Sequence, residues 1–264
     1  MSNVLTPRVA LTAATVAITL GLAGTASALD IGGTAGNDRI KGSRNADVID
    51  ANAGNDRVRA LAGDDTVRGG PGDDRLFGNQ GNDTLIGDAN DAGDRTSFDR
   101  IWGGPGDDKL YGGDSRDRLW GGSGNDQSYG QNGDDLMGGG PGDDLQYGGP
   151  GNDTIYAGVG RDETWGEDGN DTLWALTRKD VTGPNDTEGD TLHGGNGDDV
   201  FKTRDGEQDN IDCGPGVDTA LLDFKDVIVD ATPQNPNGSC EVVNRAAPRP
   251  REDRTENATP PEGR

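Results

Sequence analysis

Nine residues is the interval at which this chain repeats itself, and that interval constrains the fold more than any other feature. Gly69-Gly70-Pro71-Gly72-Asp73-Asp74-Arg75-Leu76-Phe77 has the form G-G-x-G-x-D-x-U-x, where U is apolar. The same frame recurs with almost no substitution over 103–111, 139–147 and 148–156. Copies start at 33, 42, 51, 60, 69 and 78, then at 94 and every nine residues to 166; degenerate copies start at 185, 194, 204 and 213, nineteen in all. The sixth position is Asp in every copy: Asp38, Asp47, Asp56, Asp65, Asp74 and Asp83; Asp99, Asp108, Asp117, Asp126, Asp135, Asp144, Asp153, Asp162 and Asp171; then Asp190, Asp199, Asp209 and Asp218. The fourth is Gly in fourteen, with departures at Asn45, Ser97, Ser115, Glu188 and Glu207. The eighth is apolar in sixteen, with departures at Ser128, Gln146 and Thr164.

A period of nine matches neither the helical repeat of about 3.6 residues nor the strand repeat of about 2. It matches a turn of six residues followed by a strand of three. Gly at positions one, two and four admits positive-φ backbone and leaves carbonyls uncovered. The Asp at six ends the turn with a carboxylate aimed back at those carbonyls, and position eight faces a core. Such an oxygen set suits a hard cation, and calcium takes about 6–8 oxygens. One carboxylate with one or two carbonyls cannot fill that shell, so a second turn stacked on the first has to complete it.

These residues resemble the haemolysin-type (RTX) calcium-binding nonapeptide repeat, over roughly residues 33–221. The resemblance implies an all-β parallel β-roll with two repeats per coil, and calcium held between repeat n and repeat n+2 on each side. It makes the nineteen position-six aspartates the metal carboxylates, with weak or vacant sites expected around Asp47, Asp99, Asp117, Asp190 and Asp209, where Gly is missing at position four. The runs of six and nine copies imply roughly eleven ions, whose charge nearly matches the −25 of residues 29–264. The expected roll has about nine to ten coils and is roughly 45 Å long at the inter-strand spacing.

Composition agrees that something beyond a core must stabilise the chain. Leu, Ile, Val and Phe number 44 of 264 residues, and the acids are 40 Asp against 8 Glu. So few apolar residues with so much charge usually leave a chain disordered. Folding is therefore expected to be coupled to calcium. The negative charge argues against nucleic acid and anionic membrane surfaces as partners.

Residues 1–28 read as a secretory signal peptide: Arg8 precedes an apolar run from Val9 to Gly24, and Ala26-Ser27-Ala28 offers a cleavage signal. The run is short for a membrane span of about 20 residues, so a secreted, extracellular protein without membrane insertion is expected. Insertions at 87–93 and 175–184 fall between a strand and the next turn and should loop out of the stack. The repeat body is taken as 29–221, followed by a C-terminal cap over 222–244. Cys213 and Cys240, the only cysteines, bracket that cap and are expected to form a disulfide. Residues 245–264, rich in Pro, Arg and Glu, are expected to be disordered.

Little points to catalysis. His193 is the only histidine, which excludes an H-E-x-x-H zinc helix, and the paired aspartates recur with the repeat rather than forming one site. No enzyme is expected, and a structural or adhesive use is. All four Trp and all four Tyr stand at position nine, so Tyr111, Tyr129, Tyr147 and Trp165 should form one outward ladder. That ladder is read as cross-strand packing, with a platform for a cell-wall or polysaccharide partner as the alternative.

Overall fold

A computed structural model describes residues 28–88, 97–175, 189–235 and 237–247. The signal-peptide reading of 1–28 lies almost wholly outside these residues, as do most of both insertions and the tail beyond 247. Among the described residues, twenty-two strands form two parallel sheets of eleven. Strand β1 (Asp30–Gly32) opens the odd-numbered sheet and β2 (Arg39–Lys41) the even-numbered one. Strands β21 (Val227–Ile228) and β22 (Val242–Arg245) close them. Successive strands alternate between the sheets, so each strand pairs with the one two copies away. The result is a β-solenoid of about 48 Å at the inter-strand spacing. No helix among the described residues is long and apolar enough to cross a membrane.

The strands follow from the residue pattern. From the second to the twentieth, each begins just after a position-six Asp and turns its position-eight side chain inward, as in Val58, Leu76, Ile101 and Leu119 of the even-numbered sheet, all fully buried. Positions seven and nine face outward from the same strand. Most turns take left-handed backbone at position two, as Gly70, Gly104 and Gly122 do at φ 90, 119 and 123°. Where that position is not Gly, Asn52, Leu61, Asn79, Gln131 and Glu167 take positive φ all the same.

The stack continues across both insertions. Strand β6 (Arg75–Gln80) pairs with β8 (Arg100–Pro105) in register Arg75↔Arg100. Strand β15 (Glu163–Asp168) pairs with β17 (Thr191–Asn196) in register Thr164↔Leu192. The apolar core, by contrast, has two parts. One cluster runs from Ile31 to Ile155 and the other from Leu173 to Cys240. On the odd-numbered sheet, Ser128, Gln146 and Thr164 lie in line at the inward position and are buried.

The sheets also run past the last recognisable repeat. Ile228 packs beside Ile211, and Val243 pairs with Ala220. The Cys213–Cys240 disulfide is formed and ties these final coils together. The segment read as a cap thus supplies one more strand to each sheet.

Candidate metal sites

The position-six aspartates form two columns, one along the turns that precede each sheet. None of the nineteen is more than 3 % exposed. One carboxylate oxygen has the same partner down most of each column: Oδ1 accepts the backbone N–H of the aspartate two copies earlier. Asp56 takes it from Asp38 at 2.6 Å, Asp74 from Asp56 at 2.7 Å, Asp126 from Asp108 at 2.8 Å, Asp144 from Asp126 at 2.8 Å and Asp162 from Asp144 at 2.7 Å. The column therefore fixes each carboxylate's orientation without using its second oxygen.

That second oxygen is where a cation fits. Buried Oδ2 atoms without a hydrogen-bond partner belong to Asp56, Asp65, Asp74, Asp83, Asp108, Asp117, Asp126, Asp135, Asp144, Asp153, Asp171, Asp199, Asp209 and Asp218. A buried carboxylate oxygen with no donor is costly. Ten of these aim at the space beside the position-one Gly of their own turn, while Asp56, Asp65, Asp209 and Asp218 have Ala51, Ala60, Arg204 and Cys213 at that position. A Cβ added to Gly139 would meet Asp144 Oδ2 at 2.1 Å and the carbonyl of Ala157, two copies on, at 2.4 Å. At Gly103 the same two atoms are Asp108 Oδ2 at 2.2 Å and Gly121 O at 2.5 Å. At Gly166 they are Asp171 Oδ2 at 2.3 Å and Gly194 O at 2.5 Å. Glycine keeps open a cradle on which a carboxylate of turn n and a carbonyl of turn n+2 converge. The donor set is all oxygen, which fits calcium, and the two donors come from different coils.

The electrostatics call for a positive charge. Burial, the largest cause, pushes Asp74 and Asp117 up to about 9 and Asp126 and Asp153 up to about 8. It carries Asp65, Asp108, Asp144 and Asp171 to about 7. The accepted N–H offsets part of this, and nearby carboxylates add to the rise. A bound divalent ion would reverse the preference and hold these groups ionised.

Not every turn shares this arrangement. Asp38 Oδ2 accepts both the N–H of Thr34 at 2.6 Å and its hydroxyl at 2.9 Å. Asp47 is held likewise by the N–H and hydroxyl of Ser43, at 2.6 and 3.0 Å, and by Leu29 N–H at 2.7 Å. A hydroxyl residue at position two, in place of Gly, ties these carboxylates from within the turn; at Asp47 both oxygens are satisfied, whereas Asp38 Oδ1 is buried without a partner. Loss of Gly at position four leaves a different mark: Ser115 simply adopts φ 81°, and Asp117 Oδ2 still lacks a donor.

Two column members fall outside the nineteen. Asp226 occupies the place beyond Asp209, accepting its N–H at 3.3 Å and that of Asp223 at 2.7 Å. Glu241 ends the other column, taking the Asp218 N–H at 2.8 Å. The signals were Asp226-Val227-Ile228 and Glu241-Val242-Val243, an acid followed at the second residue by an apolar one. Asp226 follows Asp218 by eight residues and Glu241 follows Asp226 by fifteen, so a strict search at nine passes over both.

The aromatic ladder is present. Tyr111, Tyr129, Tyr147 and Trp165 stack in sequence at 5.0, 5.3 and 6.3 Å, and His193 closes on Trp165 at 3.6 Å. The Tyr rings are within 5° of parallel, so their faces are turned on one another and their edges face outward. A second ladder, Phe77, Trp102 and Trp120, is built in the same way on the even-numbered sheet.

The model of the RTX calcium-binding nonapeptide repeat, four copies long, matches at residues 32–67, 59–91, 96–128, 138–173 and 186–219. No curated protein matches the chain. The matched segments cover more than half of the chain and contain eighteen of the nineteen position-six aspartates within the boundaries of a calcium-binding repeat, Asp135 lying between two of them. Together with the paired columns of carboxylates in a parallel β-solenoid, they place this chain in the RTX calcium-binding nonapeptide repeat family.

Proposed function

We propose that this is a secreted calcium-binding protein whose folding is coupled to the ion and whose role is structural or adhesive rather than catalytic, with a cell-wall or polysaccharide partner. One observation carries the coupling: fourteen buried aspartates each keep an oxygen without a donor, and nine of them present it to a cradle shared with the coil two copies on. Calcium would supply the missing charge and join successive coils, so its binding free energy becomes folding free energy. The ligand residues proposed are the position-six aspartates from Asp56 onward, with the carbonyls of the position-one residues they face. Asp38, whose Oδ1 lacks a donor, is proposed with them, and Asp47 is proposed as a turn closed by Ser43 and Leu29 instead. Secretion is supported by the signal-like residues 1–28 and by a disulfide, a bond that persists in oxidising compartments. The test is far-UV circular dichroism of residues 29–264. A coil-like spectrum in chelator and a β spectrum in millimolar calcium are expected. An unchanged β spectrum after thorough chelation would sink the proposal.

A further inference from the structure

The even-numbered sheet carries an outward feature unlike the rest of this acidic molecule. Its position-seven residues over five successive strands are Arg39, Arg57, Arg75, Arg100 and Arg118, in direct register. Lys41 and Arg59 stand beside the first two at position nine. Seven of the chain's 24 lysines and arginines thus share one half of one face. Among the described residues none of the seven forms an ion pair. Arg57 and Arg59 lie over Phe77 at 5.3 and 5.7 Å, and Arg100 and Arg118 lie over Phe98 at 4.6 and 5.2 Å. The rings hold the guanidinium stems in place and leave their charge unneutralised. Arg118 Nε is buried and has no hydrogen-bond partner. Like charges facing each other across neighbouring strands destabilise a sheet. Accordingly, burial and the adjacent guanidiniums press Arg57 and Arg100 below their ordinary value, Asp73 opposing weakly at Arg100.

We infer that this arginine column is a docking rail for a linear acidic polysaccharide lying along the solenoid axis, its carboxylates paired with successive guanidiniums. The inference rests on the adhesive reading above and names the partner's chemistry. The column spans about 19 Å at the inter-strand spacing, and one pyranose residue of a linear glycan is close to that spacing in length. Guanidinium is the side chain that pairs a carboxylate through two parallel N–H donors. Single-stranded nucleic acid is the less suitable polyanion, because it is held on open aromatic faces. Here the faces of Phe77, Trp102 and Trp120 are already stacked on one another at 4.5 and 5.7 Å.

The test titrates the full mature chain in millimolar calcium with short oligogalacturonates, below the length at which calcium gels them. Neutral dextran, neutral cell-wall polysaccharide and single-stranded DNA run alongside. Oligogalacturonate should bind, weaken with added salt and raise the thermal midpoint. The triple change Arg57→Gln, Arg75→Gln, Arg100→Gln should cut affinity at least tenfold, whereas the corresponding Lys variant should lose less. Calcium-dependent circular dichroism should be the same in all three proteins, which separates loss of the rail from loss of the fold. Oligogalacturonate binding that survives the Gln changes would overturn the rail and assign the contact to calcium bridges. Equal or tighter binding of DNA would overturn the glycan as occupant. Binding only to a neutral polymer, unaffected by the Arg changes, would overturn the rail and leave the adhesive reading standing. No binding to any polymer would overturn both, leaving the calcium-coupled folding to its own test.

Discussion

Two aspartates at the same repeat position differ here by one neighbouring hydroxyl. Asp144 has an Oδ2 without a donor, facing the cradle at Gly139; Asp47 has Oδ2 tied to the Ser43 N–H and Oδ1 to the Ser43 hydroxyl and the Leu29 N–H. Asp→Asn removes the charge while keeping the side chain's shape, so it should act on ion binding more than on packing. Asp144→Asn is expected to shift the calcium midpoint of folding upward severalfold. Asp47→Asn should leave that midpoint nearly unchanged, because both of its oxygens are already bonded without an ion. Calcium titrations followed by circular dichroism will compare them, and equal shifts would contradict the assignment of Asp47 as a self-satisfied turn.

Strands show a comparable division between core and exception. Position eight is apolar along most of both sheets, yet Ser128, Gln146 and Thr164 fill three consecutive places on the odd-numbered one. Thr164 donates to Gln146 Oε1 at 3.4 Å, while Ser128 Oγ and Gln146 Nε2 have no partner. Unsatisfied buried groups of this kind cost about 1–3 kcal/mol each. Gln146→Leu combined with Thr164→Val removes Gln146 Nε2 without leaving a half-satisfied pair, and leaves Ser128 Oγ as it was. The double variant is expected to gain about 1–3 kcal/mol in calcium, seen as a higher thermal midpoint. A fall in the midpoint would mean the polar row is fully satisfied and stabilises the roll. Above this row the tyrosine rings turn their faces to each other, so the ladder supports the sheet from outside where the core is weakest.

At the scale of the whole molecule the columns make the fold sensitive to pH, in opposite senses with and without metal. A carboxyl with a folded-state pKa above its unfolded value favours folding while it is protonated. That contribution is present below about 4 and is lost as pH rises through the folded values, about 7 for Asp144, about 8 for Asp153 and about 9 for Asp117. In chelator, the chain should therefore gain β structure as pH is lowered from 9 towards 5. In calcium the sign reverses, because protons compete with the ion for the same oxygens, and stability should fall on acidification. Circular dichroism across pH in both conditions measures this. A chelated chain indifferent to pH would show that the buried carboxylates do not govern the apo equilibrium.

The architecture was legible in the chain because each level of the repeat is local: glycine where the backbone must turn left-handed, Asp where the turn ends, and an apolar residue two places later. Such a pattern specifies turn, strand and inward face for every copy, and hence the two columns of carboxylates and the alignment of the position-nine rings. Other features depend on which atoms meet across coils, and no local pattern contains that. Asp226 and Glu241 join the columns despite irregular spacing, because strand pairing tolerates a shortened turn or a looped-out insertion so long as the next strand finds its register. Asp38 and Asp47 lie at repeat positions identical to those of the cradle aspartates, and only the folded turn reveals that Thr34 and Ser43 bond to them. Five arginines eighteen or twenty-five residues apart become one charged column solely because strands pair two copies away, and the stacking of the rings decides that edges, not faces, meet the solvent. Composition and period determine what each residue can do. Contact between coils, set by packing through space, determines which of them still has an unused atom to do it with.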